Sequence, residues 1–128
     1  MKNESEIIID IVGRFLEFIS SSEAEWKEAY LRFNGDLESS GITATFLRGD
    51  TAHYIEADDD LEFETMSVLI EMFQELQRNL PFKVCLLVVK PNKEYKIKFE
   101  QQLIERWRIT KANGDTGVPA DYKNECWW

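Results

Sequence analysis

The stretch LEFETMSVLIEMFQELQRNLPFKVCLLVVK, Leu61–Lys90, holds the two periodicities that decide the fold. Met66, Leu69, Ile70 and Phe73 fall at i, i+3, i+4 and i+7, Leu76 continues the stripe, and Glu64, Glu71, Glu75 and Arg78 lie off it. Apolar side chains repeating near 3.6 residues give a helix one buried face, which predicts a helix over about 61–79. Pro81 stops it, because proline lacks the N–H that the helix needs and crowds the residue before it. The next run, FKVCLLVVK at 82–90, is almost continuously apolar and reads as a central strand covered on one face and packed at its ends.

Outward from this pair, PNKE at 91–94 turns the chain into YKIKFE at 95–100, with Tyr95, Ile97 and Phe99 inward and Lys96 and Lys98 outward. QQLIERWRITK at 101–111 reads as a final short helix with Leu103, Ile104 and Trp107 on one side, and the tail from about 113 has no period. Toward the N-terminus, three short runs read as an antiparallel meander. In the first, Ala29, Leu31 and Phe33 share one face and Tyr30 and Arg32 the other. In the second, Ile42, Ala44 and Phe46 alternate with Thr43, Thr45 and Leu47, and TAHYIEA at 51–57 is the third. Gly41, Gly49, Asp36 and Asp50 supply the turns. Before them Ile8, Ile11, Val12, Phe15 and Ile19 recur at helical spacing up to the serines at 20–22, with Gly13 inside, where close packing is expected to require it. The order α-β-β-β-α-β-β-α implies an α+β domain over 1–128, an antiparallel sheet of about five strands with helices packed on one face.

Composition narrows function. The chain carries 15 Lys and Arg against 24 Asp and Glu, a net charge of -9, which disfavours nucleic acid and anionic membranes as partners and suits a basic protein. The acidity is concentrated: residues 1–75 hold 18 acidic and 5 basic side chains, residues 76–128 hold 6 and 10. No apolar run is long enough for a membrane span or a signal-peptide core, and two cysteines, Cys85 and Cys126, make neither a disulfide framework nor a zinc site. The expected compartment is a reducing cytoplasm.

The densest acidic stretch is EADDDLEFE, Glu56–Glu64, with six carboxylates in nine residues. Asp58, Asp60 and Glu62 match the alternating ligands of a calcium loop, but Phe63 stands where that loop needs glycine and Leu69 where it needs a bidentate Glu. No metal is therefore expected. Asp59 with Glu62 has the spacing of a helix capping box, and one or two acids satisfy the helix dipole. The surplus is expected to face a partner, with Leu61 and Phe63 anchoring the helix start beneath it. Catalytic signals are thin: the single histidine, His53, lies in a strand pattern with no nucleophile motif beside it, and no phosphate-binding glycine loop or zinc motif occurs. Arg48–Asp50, RGD, is read as a turn only. No enzyme activity, cofactor or small-molecule substrate is expected. The partner-binding candidates are Asp58, Asp59, Asp60, Glu62 and Glu64, with Tyr30 and the unusual terminal pair Trp127 and Trp128, which either fold back over a groove or mark a contact surface.

EAEWKEAYLRF at 23–33, ITATFLRGDTAHYIEA at 42–57, the helix from Leu61, the hairpin at 82–100 and ERWRI at 105–109 together resemble the YezG-like family of bacterial immunity proteins. The similarity is one of element order and aromatic placement over roughly 7–112, and the tail from Asn113 departs from it. What the resemblance implies is a cytoplasmic inhibitor that neutralises a cognate antibacterial toxin, often a basic nuclease, by tight binding. The alternative reading is an acidic regulator, adaptor or nucleic-acid mimic that binds a basic host protein.

Overall fold

A computed structural model describes residues 3–22, 25–35, 41–55, 60–112 and 115–128, and of residues 22 and 60–62 the backbone alone. Helix α1 (Glu4–Ser22) leads to strands β1 (Ala29–Asn34), β2 (Gly41–Arg48) and β3 (Thr51–Tyr54), then helix α2 (Asp60–Asn79), then β4 (Val84–Val89) and β5 (Tyr95–Glu100). The five strands form one antiparallel sheet in the order β3-β2-β1-β4-β5, an α+β architecture. Asn3 caps α1, its Oδ1 accepting from the Glu6 N–H at 2.9 Å.

Strand alternation divides the sheet into two faces. Ala29, Leu31, Phe33, Ala44, Phe46, Cys85, Leu87 and Val89 point to one, where Ile7, Ile11, Phe15 and Ile19 of α1 and Leu69, Phe73 and Leu76 of α2 complete the main core. Phe33 and Phe73 stack with centroids 5.0 Å apart at its centre. The end of α2 is tied to β1 by Gln77, whose Nε2 donates to the carbonyls of Gly35 at 3.0 Å and Phe82 at 2.7 Å. The predicted helix at 61–79 and its Pro81 stop agree with α2.

The opposite face carries Tyr30, Val84, Leu86 and Val88, and it is covered too. The segment after β5 returns across it, burying Trp107, Ile109, Tyr122 and Trp127. All six residues of β4 are therefore buried, which is why its sequence is continuously apolar instead of alternating. The expectation of a central strand covered on one face is corrected by this second layer.

The last predicted helix does not form. Residues 101–107 make a turn in which the Glu100 carboxylate accepts from the N–H groups of Gln102 and Leu103, at 2.9 and 3.2 Å. Arg32 then takes two carbonyls a helix would need: its guanidinium donates to Ile104 O at 2.5 Å and Arg106 O at 3.0 Å. Trp107 adopts a left-handed φ of 59°, which reverses the chain and lays its ring on the sheet. A long-range contact from β1 outcompetes local helical bonding. The only regular structure described in the tail is a 3₁₀ turn at Tyr122–Asn124.

Candidate functional site

The acidic asymmetry of the sequence becomes a layer. α1 carries Glu4, Glu6, Asp10 and Glu17 against Arg14; α2 carries Asp60, Glu62, Glu64, Glu71 and Glu75 against Arg78. Each described carboxylate among them is at least partly exposed, because the apolar stripe of each helix is turned to the core and leaves the polar stripe outside. Two large apolar side chains stand out of this layer: Ile9 is 61% exposed and Phe63 is 67% exposed. Phe63 thus does not anchor the start of α2, contrary to expectation. Its position is off the Leu69–Phe73–Leu76 stripe, so the helix carries it outward. Spacing leaves this open, because Phe63 lies seven residues, about two turns, before Ile70, which is half-buried at the edge of that stripe.

The predicted partner residues separate. Asp58 and Asp59 lie outside the described residues; Asp60 and Glu62 belong to the first turn of α2, with backbone alone described; Glu64 is exposed on the acidic layer. Tyr30 is fully buried beneath the C-terminal segment, so its expected place on a contact surface is corrected. Trp127 is also buried, folded back over the sheet, while Trp128 beside it is 41% exposed. The terminal tryptophans therefore cover a groove first, and only Trp128 reaches the surface.

Two carboxylates that the sequence did not single out hold this second layer. Glu28 accepts from the hydroxyls of both Tyr30 and Tyr122, each at 2.9 Å, and Trp128 Nε1 donates to the Tyr122 hydroxyl at 2.8 Å. Burial, together with the nearby Glu28 charge, raises both phenols well above their ordinary value, so they stay protonated donors. Glu125 accepts from Trp107 Nε1 at 2.7 Å and Trp127 Nε1 at 3.1 Å, and pairs with Arg106. Burial alone would raise the Glu125 carboxyl, but these hydrogen bonds hold it below the ordinary range. Arg106 also reaches Glu100 at 2.6 Å, and Glu100 is brought down to about 2 by the Gln102 N–H, Arg106 and the Leu103 N–H. No local sequence pattern marks Glu28 or Glu125. Their roles come from partners up to 94 residues away.

Each of these groups is satisfied within the fold, so the arrangement can brace a segment but offers no poised acid or base. His53 is half-buried and stacks on Phe46 at 5.4 Å. The Cys85 thiol is enclosed in the core, where burial raises it and makes it inert. Among the described residues, no three His, Cys, Asp or Glu side chains gather to hold a metal ion, and no helix is long and apolar enough to cross a membrane. The helical layer offers charge together with two exposed apolar side chains, Ile9 and Phe63. No protein-family model matches this chain, and no curated protein matches it.

Proposed function

We propose that this chain is an immunity-type inhibitor of the YezG-like kind, which binds a basic toxin domain in the cytoplasm through the outer face of α1 and α2. The observation that carries the reading is the segregation of Glu4, Glu6, Asp10, Glu17, Glu64, Glu71 and Glu75 on one helical layer around the exposed Ile9 and Phe63. A negative field of one sign over one face steers a positively charged partner and raises association rates roughly 10- to 1000-fold. Exposed apolar side chains inside a charged rim supply the desolvated contacts that slow dissociation. Neutralisation requires only that the inhibitor cover or obstruct the basic substrate cleft of the toxin.

The test is capture of the partner from producing cells, followed by co-expression with the product of the adjacent gene. Protection from a toxic neighbour, with a stoichiometric complex, supports the proposal. A neighbour that is harmless, or a complex with a basic host protein instead, would favour the acidic-regulator reading.

A further inference from the structure

Strand β5 pairs with β4 along one side only, and none of the described residues bonds its other side. The Lys90 N–H donates to Glu94 O at 2.9 Å where the hairpin closes. The alternation of an antiparallel ladder then turns the backbone groups of Lys96 and Lys98 toward β4 and those of Tyr95, Ile97 and Phe99 toward the open edge. Unpaired edge groups form a template for another strand.

Charge says what kind of strand fits. Opposite Val88 and Leu86, Lys96 and Lys98 stand on the sheet face that the C-terminal segment covers, and Lys90 follows on β4 with the same orientation. Lys90 Nζ lies 3.9 Å from the Trp128 ring centroid and Lys98 Nζ 4.6 Å from that of Trp127. Cation–π contacts fix ammonium groups without cancelling their charge. Of the nearby carboxylates, Glu100 and Glu125 are taken by Arg106, and Glu94, opposite Lys90 across the hairpin, accepts from Asn92 Nδ2 at 2.9 Å. On the other face Ile97 and Phe99 are half-buried and Tyr95 is 39% exposed, so an added strand would find apolar contacts there.

We propose that β5 receives, by strand addition, an extended segment of a partner protein with acidic side chains at alternate positions. Backbone hydrogen bonds to Tyr95, Ile97 and Phe99 supply the pairing, and Lys96 and Lys98 read the charge. A second copy of this chain is a poorer occupant. In an antiparallel pair of β5 strands centred on Ile97, Lys96 of each copy faces Lys98 of the other, and directly opposed like charges repel. This surface lies at the sheet edge, away from the outward face of α1 and α2, and the inference does not depend on the inhibitor reading.

The experiment titrates the full chain against a labelled ten-residue peptide alternating Glu and Val, read by fluorescence anisotropy at low salt. Saturable binding, roughly tenfold or more tighter than that of a peptide alternating Lys and Val, is expected. Exchanging both Lys96→Glu and Lys98→Glu should reverse that preference. Tyr95→Pro removes an N–H on the open edge at the first strand residue, where the sheet tolerates it, and should weaken binding by about tenfold with an unchanged melt. N-methylation of the peptide on alternate residues removes the same hydrogen bonds without altering the protein, and one of the two methylation registers should abolish binding. The proposal is overturned by absent saturation, by binding indifferent to both methylation registers, or by tighter binding of a single-stranded oligonucleotide. A dimer in sedimentation that Tyr95→Pro dissolves would also overturn it, by giving the edge to a second copy.

Discussion

The indole Nε1 of Trp107 donates to Glu125 at 2.7 Å, joining two parts of the C-terminal segment 18 residues apart. Trp127 donates to the same oxygen from 3.1 Å, and the two rings meet edge to face with centroids 5.8 Å apart. One carboxylate thus fixes both large rings that close the second core. Glu125→Gln keeps an acceptor but loses the charge that faces Arg106. It is expected to cost about 1.5–3 kcal/mol in a urea melt followed by tryptophan fluorescence, the range for hydrogen bonds to charged groups. An unchanged midpoint would mean the segment is held by ring burial alone.

Acid should loosen the same region. Glu100 is held down to about 2 and Glu125 also lies below its ordinary value, so both folded carboxyls release protons more readily than unfolded ones near 4.5. Their contribution is present above that unfolded value and is lost as pH falls toward 2. A melting temperature that declines from pH 5 to pH 2, and declines less in Glu125→Gln, is the expected result. A flat profile would show that neither pair matters to stability.

Phe73 is fully enclosed and stacks on Phe33. Phe73→Ala should cost about 3–5 kcal/mol, from lost burial and the cavity left between α2 and the sheet. A loss under about 1 kcal/mol would not fit a ring packed this way.

Two glycines should respond oppositely. Gly13 lies exposed in α1 and a Cβ there meets nothing within 4 Å, so close packing does not explain it. Gly13→Ala is expected to stabilise by about 0.5–1 kcal/mol through helix propensity. At Gly35 a Cβ would lie 3.1 Å from Lys83 O and overlap the Gln77 amide. Gly35→Ala should cost about 1–3 kcal/mol, as overpacking displaces the bonds that tie α2 to β1. Thermal melts of both variants decide the signs.

On the proposed contact layer, Glu64, Glu71 and Glu75 changed together to Gln should leave folding nearly unchanged. The variant should associate with the partner roughly tenfold more slowly at low salt, with a flatter salt dependence. Phe63→Ala, with its ring already in water, should spare stability and quicken dissociation instead. If both variants bind as wild type in stopped-flow measurements, the outer face of α2 is not the contact.

The apolar spacing at Met66–Leu76 and the alternation at Ala29–Phe33 describe which side of each element is buried, and that information is local. Helix α2, the meander and the β4–β5 hairpin were legible for this reason. So was the two-residue connection at Gly49 and Asp50, where Gly49 takes a positive φ of 64°. The acidic surplus was legible as well, since a helix with one apolar stripe must expose its charged one. Where the sequence misled, at Tyr30, Phe63 and the helix expected over 101–111, a residue's fate depended on what lies across from it.

By itself, then, the sequence determined the order of elements, the face that α1 and α2 turn to the core, and the sign of the helical surface. Each follows from side-chain period and charge within some twenty residues. Tertiary structure alone decided that β4 lies beside β1, and that an aperiodic tail covers the second face of the sheet. It also decided that Glu28 meets Tyr122 and that Arg32 takes the carbonyls of Ile104 and Arg106. The β1–β4 pairing and the contacts of Glu28 and Arg32 join residues fifty or more positions apart. A buried arginine or a buried tyrosine hydroxyl must find its partners wherever the folded chain brings them, and that satisfaction outweighs the helical preference of the residues between.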